Sequence, residues 1–176
     1  SFLKNSINSE LDKKDCVLED VLQDSFANCL DRIKLQQVDY TLDGFDSRTE
    51  MSLDVEKIKI VFTNIIINAT EALIAQANPK LTISLLKEND KRIVEISDNG
   101  CGMTEEVKAN LFSPFYSSKQ GGLGLGMSNS KKILDEMHNN AKKPSEREHV
   151  TLFLVFKPEK YKIFRVDYDR DISKYR

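Results

Sequence analysis

Between Asp54 and about Gln76, apolar residues fall at Ile58, Val61, Phe62, Ile65, Ile66, Ala69, Ala72 and Leu73. Steps of three and four give one continuous apolar stripe on a long helix, and no other feature of the chain constrains its fold as strongly. Asp54 is placed to cap the helix and Asn78-Pro79 to stop it. Directly afterwards the period changes. LTISLLK and RIVEIS, separated by ENDK, read as a strand hairpin. Two residues break the helical stripe. Asn64 and Asn68 lie one turn apart on a shared face, and amides on a buried stripe are costly unless something bonds to them. Neighbouring backbone could satisfy them. An amide oxygen could also serve a hydrated Mg²⁺, which takes oxygen ligands and keeps several waters.

The remaining elements follow from the same rules. Val17 to about Gln36 has helical spacing, and VDYTLDGF and TEMSLDV around DGFDSR read as a strand pair. A short helix starts at Thr104, with Glu105 and Glu106 favouring its N-terminus. A glycine-rich segment enters a helix from about Gly124 to His138. VTLFLVF is a strand ended by Pro158, and Lys162 to Val166 a short strand in the tail. This order is not the regular alternation of a doubly wound sheet. It predicts an α+β fold, a two-layer sandwich with helices on one face of a mixed, mostly antiparallel sheet. Residues 1–16 read as a lead-in or the tail of a preceding helical region, 17–158 as the domain, and 159–176 as a C-terminal extension.

Composition narrows the function classes. A chain of 176 residues with 40% hydrophobic content makes one ordinary domain with a real core. Its 26 basic and 28 acidic side chains nearly cancel, so it has no general attraction for nucleic acid or an anionic membrane. No apolar run is long enough to span a bilayer, and SFLKNSINSE lacks a signal-peptide pattern. Cys16, Cys29 and Cys101 include no CxxC pair, so reduced thiols and a cytoplasmic setting are expected. Cys101 reads as a tolerated loop residue.

The stretch VEISDNGCGM ends a strand on Asp98 and follows it with Gly100 and Gly102. An ionised carboxylate accepts hydrogen bonds, and the exocyclic amine of a purine is a suitable donor. The glycines would allow φ > 0 and close approach of a flat ligand. An ordinary Asp-Asn-Gly turn is the plain alternative. Farther on, LFSPFYSSK brings Phe112, Phe115 and Tyr116, which could be core, and Lys119, a mobile cation. GGLGLGMSNSKKIL then runs Gly122, Gly124 and Gly126 into a helix, whose first N–H groups favour phosphate. It is neither a P-loop nor a Rossmann fingerprint.

In this order the four features resemble the GHKL ATP-binding family, and within it the catalytic and ATP-binding domain of sensor histidine kinases. NIIINATEAL is similar to the N box, DNGCGM to the first glycine box, FSPFYSSK to the F box and GGLGLGMSNSKKIL to the second glycine box. VTLFLVFKP resembles the closing Gly-Thr-x-Phe strand, with Val150 in place of glycine. The resemblance covers about Val17 to Pro158. It implies a Bergerat-type sandwich with ATP and Mg²⁺ as cofactors. Asn68 would hold the metal and Asp98 the adenine amine. Gly100 and Gly102 would shape the adenine pocket, with Thr151 behind it. Phe112 to Gly126 would form the lid, Lys119 would reach toward phosphate, and Gly122, Leu123, Gly124, Leu125 and Gly126 would close over the triphosphate.

The partners implied are a histidine-bearing dimerisation domain and, downstream, a response regulator. Neither His138 nor His149 has the acid-flanked helical setting of a phosphoacceptor, so the chain is expected to need that domain in cis or trans. Segment 139–149 lacks the glycines and strand usual in the family, which puts an edge of the sheet in question. Two other GHKL classes compete, an ATPase clamp and an anti-sigma serine kinase. Both carry a glutamate base four residues before the metal-binding asparagine. Position 64 is asparagine, which cannot take a proton at neutral pH. A nucleotide-binding module without activity is the third reading.

Overall fold

The computed structural model describes residues 10–88, 91–117, 122–139, 149–156 and 162–169. In chain order the elements are β1 (Lys14–Val17), α1 (Leu18–Ala27), α2 (Leu30–Leu35), β2 (Asp39–Asp43), β3 (Glu50–Leu53), α3 (Val55–Ala72), β4 (Lys80–Glu88), β5 (Lys91–Asp98), α4 (Glu105–Asn110), α5 (Gly126–Asn139), β6 (His149–Phe156) and β7 (Lys162–Asp169). The main sheet has the order β2-β4-β5-β7-β6. Only β2–β4 is parallel; β4–β5, β5–β7 and β6–β7 are antiparallel. β1 and β3 form a small separate antiparallel pair. The α+β sandwich with a mixed, mostly antiparallel sheet is as expected.

The long period becomes the central helix α3. Asp54 accepts the Lys57 N–H at 3.1 Å as its cap, and its second oxygen accepts the Asp12 N–H at 3.0 Å. Ile58, Val61, Phe62, Ile65, Ile66 and Ala69 are all buried. They pack with Leu22 of α1, Ile33 of α2, Ile133, Leu134 and Met137 of α5, and the inward residues Leu81, Ile83, Val94 and Ile96 of the sheet. Burying each large side chain of that stripe stabilises the fold by about 1.5–3 kcal/mol.

Four sequence expectations change. The helix from Val17 to Gln36 is two helices. The chain breaks at Asn28–Cys29, where the Cys29 N–H turns back to Phe26 O at 2.9 Å and the thiol is buried. Residues 14–16, expected in a lead-in, and Val17, expected to open the first helix, form β1. VDYTLDGF and TEMSLDV are both strands but do not pair with each other: β2 runs beside β4, and β3 beside β1. Two contacts explain this. A Cβ at Gly44 would stand 2.1 Å from Leu85 O, so the end of β2 is pressed onto β4. The buried Glu19 carboxylate then accepts Ser47 Oγ, the Thr49 N–H and Thr49 Oγ1, each at 2.8 Å, which draws the connecting loop to α1 and delivers β3 to β1. Burial alone would raise the Glu19 pKa, but these hydrogen bonds hold it below the ordinary value. Finally, the tail strand is longer than Lys162–Val166 and lies inside the sheet, between β5 and β6. Thr151 falls on β6, opposite Asp167. Residues 140–148, most of the atypical segment, lie outside the described residues.

Candidate functional site

Asn64, Asn68 and Ala72 are spaced i, i+4 and i+8 on α3, so they form one stripe about 12 Å long. Each end of that stripe is tied to a different element. At the first end, Asn64 Nδ2 donates to Gly126 O and to Ser130 Oγ, both at 3.1 Å, which holds the start of α5. At the far end, Ala72 O accepts the Cys101 N–H at 3.1 Å, which holds the loop leaving β5. Asn68, half-buried, lies between the two ties.

Asp98 closes β5 on the helix-covered side, in alternation with Val94 and Ile96, and is 1% exposed. Its Oδ1 accepts the Gly100 N–H at 3.0 Å. Asn99 does structural work: its Oδ1 accepts the Lys80 N–H at 2.7 Å and its Nδ2 donates to Asn78 O at 2.9 Å. The Asp-Asn-Gly stretch leads from β5 toward the next helix and not into a paired strand, with the Asp98 carboxylate closing a local turn onto the Gly100 N–H. Gly100 also departs from expectation, because its φ is not positive. Glycine is needed there because a Cβ would meet Ala72 O at 2.5 Å and Ala72 C at 2.7 Å. The close approach at Gly100 is between loop and helix. Gly102 has a φ of +70° and open space around it, so its glycine answers to backbone conformation.

In the candidate lid, Phe112 packs against the core and Phe115 does not, being 78% exposed with a φ of 63°. The Phe115 N–H donates to Gly124 O at 3.0 Å, and a Cβ at Gly124 would lie 2.4 Å from Tyr116 O, so the F-box and glycine stretches lie directly against each other. Gly122 and Leu123 are exposed and Leu125 half-buried. Lys119 lies outside the described residues. The helix α5 begins at Gly126, two residues later than expected. Leu125 O accepts the Asn129 N–H at 2.9 Å and Ser128 Oγ at 3.1 Å.

The structure therefore brings Asn64, Asn68, Asp98, Gly100 and Gly126 into one neighbourhood around α3. Sequence reasoning missed three partners that build it: Ala72, Ser130 and the pair Lys57–Glu136. Lys57 of α3 reaches Glu136 of α5 at 3.1 Å, with its own side chain only 5% exposed. A carboxylate acceptor, an amide and the start of a helix of 14 residues suit a ligand with a hydrogen-bond donor at one end and negative charge at the other.

The family described as Histidine kinase-, DNA gyrase B-, and HSP90-like ATPase matches residues 53–161. Sporulation kinase E of Bacillus subtilis (strain 168) is 34% identical over 124 residues, 70% of this chain and 17% of that protein. The sensory histidine kinase/phosphatase NtrB of Vibrio alginolyticus is 32% identical over 122 residues, 64% of this chain and 35% of that protein. The chain thus spans between about a sixth and a third of the length of the curated relatives it matches. Among solved structures, the nucleotide-free catalytic domain of histidine kinase ThkA superposes with a TM-score of 0.75 at 22% identity, covering 93% of this chain and 99% of that one. ThkA in complex with the response regulator TrrA superposes at 0.73 and 21% identity, covering 98% of this chain and 48% of that one.

Proposed function

We propose, from the premise that the chain belongs to the Histidine kinase-, DNA gyrase B-, and HSP90-like ATPase family, that it is the ATP-binding catalytic unit of a sensor histidine kinase. It would pass the γ-phosphoryl group of ATP to a histidine on a separate helical dimerisation domain, and onward to a response regulator. The observation that carries this reading is the α3 stripe. One face of one helix fixes the Asp98 loop at one end and the start of α5 at the other, about 12 Å apart by helical rise, with Asn68 between them. Adenine belongs at Asp98, where the buried carboxylate accepts the exocyclic amine that guanine lacks at that position. The phosphates belong at the glycine segment Gly122 to Gly126 and the start of α5. Gly102 and Thr151 flank the base, and Lys119 approaches the phosphates.

Mg²⁺ fits the donor set. Among the described residues no three His, Cys, Asp or Glu side chains converge on a metal position. A hydrated magnesium held by one amide oxygen and the nucleotide's own phosphates needs no such cluster. Asn68 would be that ligand, and the ion when bound would neutralise charge on the transferred group. Asn64 supports the kinase over the ATPase clamp, because both N–H bonds of its amide are committed to α5 and it cannot act as a base for water. No helix among the described residues is long and apolar enough to cross a membrane, and we assign the unit to the cytoplasm. Its extent is taken as residues 17–158 together with two strands from the flanking segments 1–16 and 159–176, β1 and β7, of which β7 lies between β5 and β6 in the main sheet.

Titration of the chain with ATP, ADP and GTP, with and without Mg²⁺, tests the reading. ATP and ADP are expected to bind and GTP not to. The substitution D98N is expected to abolish ATP binding with the fold intact. Unaltered affinity in that variant would refute the adenine role.

A further inference from the structure

No motif singles out Ser130, yet it is 0% exposed, four residues into α5. Its Oγ donates to Gly126 O at 2.9 Å, a back-bond to the preceding turn that serines in helices often make. What sets it apart is the third member. The same Oγ and the same carbonyl both accept from Asn64 Nδ2, at 3.1 Å each. The three groups close a small polar ring across the α3–α5 interface, within an otherwise apolar contact formed by Ile133, Leu134 and Met137. Apolar packing selects the crossing of the two helices, and directional hydrogen bonds add a tie at one defined point. At the other end of α5 the buried Lys57 and the half-buried Glu136 pair at 3.1 Å and fix the helix a second time.

We propose that Ser130, acting through Asn64, is a positioning residue: a polar pin that sets the first turn of α5, and the glycine segment before it, at a defined place relative to Asn68. The inference rests on the nucleotide-site reading above and deepens it. Asn64, which as an amide cannot act as a base, then contributes by locating the phosphate end of the site. The adenine end is fixed separately, through Gly100, Cys101 and Ala72, and does not depend on the pin.

That separation supplies the test. S130A, N64A and the double variant of the 176-residue chain are titrated with ATP, ADP and adenosine, with thermal unfolding recorded alongside. S130A is expected to weaken ATP and ADP about threefold to tenfold, the scale of one neutral hydrogen bond, with adenosine affinity unchanged. N64A should give at least the same loss, and the double variant no more than N64A alone, because one pin is being removed twice. A merely structural role would lower the unfolding temperature and weaken adenosine and ATP alike, and that outcome overturns the proposal. So does ATP affinity at the unsubstituted level in S130A. If S130A does not fold, half-buried Asn64 offers N64A with the same split between ATP and adenosine. Failure of the unsubstituted chain to bind ATP overturns the nucleotide reading and the pin with it. ATP binding that D98N abolishes and S130A and N64A leave untouched overturns the pin alone.

Discussion

Replacing Gly100 with alanine asks whether that glycine serves the helix or a ligand. The added Cβ would stand 2.5 Å from Ala72 O, 2.7 Å from Ala72 C and 2.7 Å from Ala72 Cβ. The first two are backbone atoms in the last turn of α3, so no side chain can swing aside. Because φ at Gly100 is not positive, no conformational strain contributes. Relief requires the loop to move off the helix, which breaks the Cys101 N–H to Ala72 O bond of 3.1 Å. Overpacking costs about 1–3 kcal/mol and the lost bond about 0.5–1.5 kcal/mol, so G100A is expected to destabilise by roughly 2–4 kcal/mol. For a chain of this length that is a fall in Tm of about 5–15 °C, read by thermal unfolding under circular dichroism. ATP affinity should fall with it, since Asp98 Oδ1 accepts the Gly100 N–H and moves with the loop. Gly102 is the control. Its φ is +70° with nothing within 4 Å of a Cβ, so G102A carries only the left-handed backbone penalty of about 1–2 kcal/mol. A G100A protein melting within about 2 °C of the unsubstituted chain, or one less perturbed than G102A, refutes the packing explanation.

Three further outcomes are expected. Breaking the Lys57–Glu136 pair should depend on which partner is removed: E136Q leaves a buried ammonium short of its carboxylate and should cost about 1–3 kcal/mol, whereas K57M should be near neutral, as denaturant midpoints will tell. Glu19 has a folded-state pKa below its ordinary 4.5, so its stabilisation is present above the unfolded value and disappears as pH falls through the folded one; E19Q should flatten the acid side of the stability profile below about pH 4.5 and cost about 1–3 kcal/mol at pH 7. N68D is expected to depress Mg²⁺-dependent phosphotransfer more than nucleotide binding, and equal loss of both in a paired assay removes Asn68 from the metal.

The fold was legible wherever one period ran long enough to decide an element. The α3 stripe, the β4–β5 hairpin and the Asp54 and Thr104 caps all follow from local rules, and each is found. What could not be read locally was pairing across distance. β2 and β3 carry strand patterns, but a buried carboxylate on α1 decides whom they pair with, and nothing in the spacing of Glu19 from Ser47 and Thr49 announces that. Gly100 was legible as a glycine that had to be there, not as one answering to Ala72. The Lys57–Glu136 tie spans 79 residues and has no local signature. Ser130 had a weak one, its place four residues after Gly126, but a serine at i+4 in a helix is too ordinary to single out.

The candidate site owns almost no structure of its own. Asn64, Asn68 and Ala72 belong to the helix that organises the core, and Asn64 and Ala72 hold other elements in place. Phosphoryl transfer asks mainly for positioning and neutralised charge, and little covalent work from side chains. A central buried helix is well suited to that demand, because its face cannot shift without disturbing Phe62, Ile65 and Ile66, which are all but fully buried on the adjoining stripe. The cost is that stability and site geometry are coupled. Substitution at the Gly100–Ala72 tie should move both together, whereas D98N, S130A and N64A each act on one end of the site.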